Sequence, residues 1–262
     1  MIRRTPTLLA FGLGLIFAAC NPGPSGSGSS PAAKDDAAAL ERKAGHLERL
    51  MARRADAANA LEALASALPG RTWLLEVAYD SGKIKVRGRA ATNNLLADYI
   101  TRLGENPSFT GMTLGGSVMK NVRGRESQEF ALEIALVDPA GEGASSGPGA
   151  DPAARLRELE AKLPPRQDPA ERLREIQRLA LDSGLQMTKF APGAEVSGEL
   201  TTALPVTVEV SGDLRSLGRY LRGLARLPDL WAVDKLTLRA AAPDDPRSEY
   251  RASIAARAYF VR

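Results

Sequence analysis

This chain has one cysteine and one histidine in 262 residues. A lone cysteine, Cys20, excludes any intrachain disulfide. With His46 as its only histidine, the chain cannot assemble a transition-metal cluster of the usual His/Cys kind. The same scarcity excludes Ser/His/Asp and Cys/His sets away from His46, and no nucleophile motif surrounds that residue. Aromatics make up only 5%, and neither sign of charge dominates: 35 basic residues are interspersed with 31 acidic ones, for a net charge of +4. No basic face interleaved with aromatics emerges, so nucleic-acid binding is not expected. Gly111, Gly115 and Gly116 lack phosphate-loop spacing and read as turn or bulge glycines. Glu126 and Asp244-Asp245 fall in expected hairpin loops as solvated carboxylates. No catalytic, cofactor or metal residue is expected, and the chain does not read as an enzyme.

Long hydrophobic runs are also scarce. The uninterrupted stretch Leu8–Ala19 is short of the roughly 20 apolar residues that cross a bilayer. It follows Arg3 and Arg4 and has the length of a signal-peptide h-region. It ends Ile16-Phe17-Ala18-Ala19-Cys20, small residues before a cysteine, which resembles a bacterial lipobox with Phe17 where an aliphatic residue is usual. Residues 1–20 therefore read as a signal peptide with Cys20 as the lipidation site. The second reading is an uncleaved signal anchor. Residues 21–33 are a Gly/Ser/Pro tether. Either reading places residues 21–262 outside the cytoplasm, membrane-anchored and periplasmic.

What the chain does have is a repeat. Residues 83–109 and 204–230 each hold an alternating strand that ends in Val-x-Gly (Val86-x-Gly88, Val210-x-Gly212). An amphipathic helix follows, carrying Tyr99 and Leu103 in one copy and Tyr220 and Leu224 in the other. Pro107 or Pro228 closes it, and an apolar residue then starts a new strand. The second copy is three residues shorter between glycine and helix. A repeated supersecondary unit means one architecture used twice. Around it the periodicity predicts α-β-β-α-β-β in both 57–137 and 152–262, with 138–151, DPAGEGASSGPGAD, as the linker. In the second unit Asp168 is the expected cap of a helix beginning at Pro169. Two helices on one face of a four-stranded antiparallel sheet make a ferredoxin-like arrangement, so the fold class is α+β with two such domains.

Ahead of them, residues 34–68 lack proline and predict a long helix of roughly 50 Å. Leu40, Ala44, Leu47, Met51, Ala58, Leu61, Ala65 and Leu68 form a heptad seam once Arg54 is admitted as an interruption. Leu40, Leu47, Met51 and Leu61 are the candidate coiled-coil interface, and His46, off the seam, reads as a solvated helix residue. Residues 57–68 are expected to pack on their own domain and the earlier part to reach beyond it. Of the large residues, Trp73, Phe109, Phe130 and Trp231 could anchor an interface, though core positions suit them better.

The ordered set Leu68-Pro69, Trp73-Leu74, Val86-x-Gly88-x-Ala90, then Leu103 to Pro107 and Phe109, resembles the periplasmic part of PilN, a type IV pilus assembly protein. Ser183-Gly184-Leu185, Phe190-x-Pro192-Gly193, Leu204-Pro205 with Val206 and Val208, Gly212, Leu227-Pro228 and Tyr259-Phe260 resemble PilO. The resemblance covers about residues 40–262. It implies a fusion of two partners that otherwise pair through coiled coils and ferredoxin-like domains. They do so in an inner-membrane alignment complex between a motor platform and an outer-membrane secretin. The expected partners are thus pilus-assembly or secretin-linked proteins, with a homodimer or an internal PilN–PilO-like pairing as further options. Only Met1–Thr7 precede the apolar segment, so the PilM-binding peptide of PilN proteins is not expected here. A type II secretion platform component is the near alternative, and a small-ligand-binding or enzymatic lipoprotein the distant one.

Overall fold

The computed structural model describes residues 31–122, 124–138, 151–162, 169–198 and 201–260. The signal segment with Cys20, most of the tether and of the linker, and the Asp168 cap lie outside the described residues. In chain order the elements are α1 (Pro31–Ala52), a 3-10 turn (Arg53–Ala55), α2 (Asp56–Ala67), β1 (Thr72–Asp80), β2 (Lys83–Ala90), α3 (Asn93–Gly104), β3 (Phe109–Val122) and β4 (Arg125–Leu136). There follow α4 (Pro152–Ala161), α5 (Pro169–Asp182), β5 (Gln186–Pro192), β6 (Val196–Ser197), β7 (Thr202–Gly212), α6 (Leu214–Arg226), β8 (Leu230–Ala240) and β9 (Tyr250–Phe260).

Local chemistry accounts for most boundaries. β1 and β2 form a hairpin through Ser81 and Gly82, both at positive φ (48° and 91°), as a two-residue turn matching strand twist demands. The two repeat helices are capped alike: Thr92 Oγ1 accepts from Leu95 N at 3.4 Å, and Asp213 Oδ1 from Ser216 N at 2.9 Å. Two expectations need correction. The long helix is not continuous, because Arg54 brings a charge onto an apolar seam and a 3-10 turn at Arg53–Ala55 lets its Nη2 donate to the Asp229 carbonyl at 3.1 Å. The sequence also reads Ala191–Thr202 as a loop between two strands, and there Val196–Ser197 instead pairs with the start of β7.

All the strands lie in one antiparallel sheet, ordered β3-β4-β2-β1-β8-β9-β7-β5, with β6 alongside β7. In each half the strands, counted along the chain, stand third-fourth-second-first, leaving β6 aside. The repeat is therefore one of topology as well as sequence. The halves join edge to edge where β1 pairs with β8 from Glu76↔Arg239 to Asp80↔Lys235. A single hydrophobic core runs through both halves, from Leu61, Leu64, Tyr99 and Phe130 to Tyr220, Trp231, Leu238 and Ile254. α2 touches both α3 and α6, and α6 touches α5.

Candidate assembly surfaces

Four surfaces could carry work in this protein, and each is set by its residues. The first is the apolar stripe of α1. Ala44 and Leu47 are buried against Leu156 and Leu159 of α4 and against Ala203, Leu230, Ala232 and Tyr259 at one end of the second half-sheet. By strand alternation these four sheet residues project opposite to Trp231 and Ala258, which belong to the main core. The α1–α4 pair thus covers part of the face that the core helices leave open. Lys43 reaches Glu160 at 2.8 Å, and Arg155 forks onto Glu48, with Nε to Oε1 at 2.6 Å. Of the four expected interface residues, Leu40 and Met51 are half-buried against this cluster, Leu47 is fully buried in it, and Leu61 is buried in the main core through α2. All four therefore face parts of the same chain. His46 is half-buried, and burial, then Arg49, push its pKa down.

The second is a buried ion pair at the foot of α5. Arg172 Nε lies 2.8 Å from Asp229 Oδ2 and Nη2 lies 3.2 Å from Oδ1, with 3% and 1% of the side chains exposed. The guanidinium also stacks 3.9 Å above the Phe260 ring. Burial pushes the Asp229 carboxyl up, while Arg172 and Arg54 pull it down without cancelling that effect. Its carbonyl receives Arg54, so one residue ties α5, β8 and the helix break together.

The third is the open sheet face. Arg89, 10% exposed, reaches Glu129 at 3.3 Å and Asp244 at 2.6 Å, and Glu129 also takes Arg87 at 3.0 Å and Lys120 at 2.9 Å. Burial alone would raise the Glu129 pKa, but these three cations outweigh it and hold the carboxyl below its usual range. Asp244 lies exposed in the β8–β9 loop, as expected, and also pairs with Arg89. Beyond it, an open groove of about 870 Å³ lies over the second half-sheet, edged by Thr188, Glu209, Arg239 and Arg251. Among the described residues no cluster of three or more His, Cys, Asp or Glu side chains could hold a metal ion.

The fourth is the β3 edge, where Leu114, Val118 and Met119 stand exposed. Phe130 and Trp231 are buried in the core, and Phe109 packs against it. Trp73 is half-buried, its Nε1 donating to the Pro243 carbonyl at 3.1 Å. No sequence signal pointed to Arg172–Asp229, since an Arg and an Asp 57 residues apart read as surface. The β3 edge did have one: Leu114, Val118 and Met119 interrupt a stretch with neither charge nor alternation.

These surfaces hold modules together and present edges. Residues 59–136 match the family described as fimbrial assembly protein (PilN), and residues 169–262 match the type IVa pilus alignment subcomplex PilO C-terminal domain. The chain thus joins a PilN-like and a PilO-like domain in one polypeptide, and those domains indicate a part in type IV pilus assembly. Among solved structures, the type 4 fimbrial biogenesis protein PilO from Pseudomonas aeruginosa is similar at 25% identity and a TM-score of 0.36, over 42% of this chain and 87% of that one. The core region of PilO from the type IV pilus system of Pseudomonas aeruginosa is similar at 28% identity and a TM-score of 0.32, over 34% of this chain and 91% of that one. No curated protein matches the chain. Among the described residues no helix is long and apolar enough to cross a membrane.

Proposed function

We propose that this protein is a membrane-anchored periplasmic scaffold of the type IV pilus alignment subcomplex, in which the pairing of a PilN-like with a PilO-like module is built into one chain. Each module is a ferredoxin-like unit begun at a helix, αββαββ. The observation that carries the reading is the presence of both families, in order, in one polypeptide whose two halves share the β1–β8 joint. The seam of α1 supports it too. Leu40, Leu47 and Met51, instead of awaiting a separate coiled-coil partner, are matched by α4 from the PilO side. In this reading Cys20 carries the lipid and the tether that follows it leads to α1, which begins at Pro31.

Two measurements test it. A strain lacking the chain should lose surface pili and regain them on complementation; normal piliation in its absence would end the assembly role. Intact mass of the membrane-extracted protein should show an acylated chain beginning at Cys20, and a full-length unacylated species would overturn the lipid anchor alone.

A further inference from the structure

We propose that the outer edge of β3 is a docking strand for a second copy of this chain, pairing antiparallel with that copy's β3 about a two-fold axis near Gly116 and Ser117. β3 ends the sheet, and no described strand pairs with its outer side. Residues 113–121 are exposed throughout, with Leu114 at 47%, Val118 at 61% and Met119 at 64%. Thr113–Met119 carries no charge and no proline. A long, neutral, apolar edge of that kind is a template for strand addition, and sheets normally guard against it. The opposite edge is guarded: β5 is only 7 residues long, exposes Lys189 and ends at Pro192.

The fold itself shows what such an edge is for. β8 holds in the second half the place that β3 holds in the first, and its edge is occupied by β1. That joint is charge-matched, Lys235 meeting Asp80 at 3.1 Å and Arg239 meeting Glu76 at 3.0 Å. Thr113–Met119 of β3 offers no such charges, and the Lys120 that follows is already held by Glu129 at 2.9 Å, so an acidic strand like β1 would find no free counter-ion there. The Lys189-bearing β5 of another copy would lose solvation against it without compensation. A free strand edge of matching neutrality is another β3.

Register supports self-pairing. Leu114 lies opposite Leu132, and Ser117 opposite Phe130, with a bulge between. Leu132 and Phe130 both face the core, so Leu114, and Met119 two residues beyond Ser117, project from that same side. Two-fold pairing about Gly116–Ser117 sets Leu114 of each copy against Met119 of the other. It is also self-limiting, because the joined sheet ends in β5 on both sides.

Sedimentation of the full chain in detergent, across the nanomolar to high-micromolar range, should show a reversible dimer. Val118→Lys should weaken it by about tenfold or more, through like charges brought together across the axis, with circular dichroism and melting temperature unchanged. In the otherwise native chain, Ser117→Cys should cross-link to itself on oxidation above the baseline set by wild-type Cys20. A wild-type chain that stays monomeric, or a dimer that survives Val118→Lys undiminished, overturns the proposal. Cross-linking of Ser117→Cys with Thr188→Cys in place of self-cross-linking does so as well, because it would mean head-to-tail addition through β5. Should Val118→Lys fail to fold, the two cysteine experiments decide alone.

Discussion

At the scale of the residue, the two Val-x-Gly signatures have a common cause. A Cβ on Gly88 would strike Phe130 Cζ and lie 2.9 Å from the Trp73 carbonyl oxygen; one on Gly212 would strike Leu185 Cδ2. In both halves the glycine leaves room for a core side chain against the sheet. The obstacles differ in kind, and that sets a ranking. Backbone cannot yield, whereas the tip of a leucine can turn. Gly88→Ala should therefore cost about 3 kcal/mol and Gly212→Ala about 1 kcal/mol in chemical denaturation; equal costs would contradict this account. A second prediction concerns Asp56, in the first turn of α2. Burial lifts its carboxyl to about 6, Arg53 pulling it down and Asp138 pushing it up. A folded-state pKa above the ordinary 3.8 means that the folded chain holds this proton more tightly than the unfolded one. Its contribution to stability is then complete below the unfolded value and is lost as pH rises through about 6. Asp56→Asn has no charge to desolvate. It should match wild type near pH 4 and exceed it near pH 8 by about 1 kcal/mol, a figure discounted for the half-exposed side chain.

At the scale of the element, the helices and strands were legible because each is amphipathic with the right period and is punctuated by Gly, Pro, Thr92 or Asp213. The first helix was legible only in part: Arg54 stood out as an interruption of the seam, but the pattern read as one helix over 34–68, and the structure breaks it at Arg53–Ala55. The pairing of strands was not. Alternation tells which residues of β1 face the core; it does not tell whether the edge beyond Glu76 and Asp80 is solvated or joined to β8. The strand ends were harder too: β3 and β4 run past the core to Val122 and Arg125, where no buried face dictates a pattern. Long-range ion pairs were equally silent, and Arg172–Asp229 is the consequential one. With both side chains almost fully enclosed, removing one charge strands the other. Arg172→Met should lower stability by about 3–5 kcal/mol. Arg172→Met with Asp229→Asn should recover a good part of that loss, and the coupling in a double-mutant cycle is the test. If the two losses simply add, the pair is not the tie between α5 and β8 that its geometry indicates.

At the scale of the whole molecule, the question is whether the PilN-like and PilO-like halves are two bodies on a string or one. The linker at 138–151 favours the first view, because its composition suits a tether. The contacts favour the second. β1 and β8 zip five residue pairs from Glu76↔Arg239 to Asp80↔Lys235, α2 packs on α6, Glu62 pairs with Arg222, and α1 clasps α4. The apolar core does not divide at the joint, since Val77 and Tyr79 on one side and Leu236 and Leu238 on the other are all buried. Exposing either half alone would bare that seam to water, so neither has reason to melt before the other. Calorimetry should give one transition whose van't Hoff and calorimetric enthalpies agree. The sharper test cuts the chain. With a protease site inserted between Asp138 and Asp151, the cleaved halves should still elute together, and in high salt as well, because the ion pairs at the joint are exposed and contribute little while the buried residues carry it. Tyr79→Asp would place a charge inside that seam and should separate the cut halves. Halves that part on cleavage without it would mean that the linker, and not the sheet, keeps this pair together.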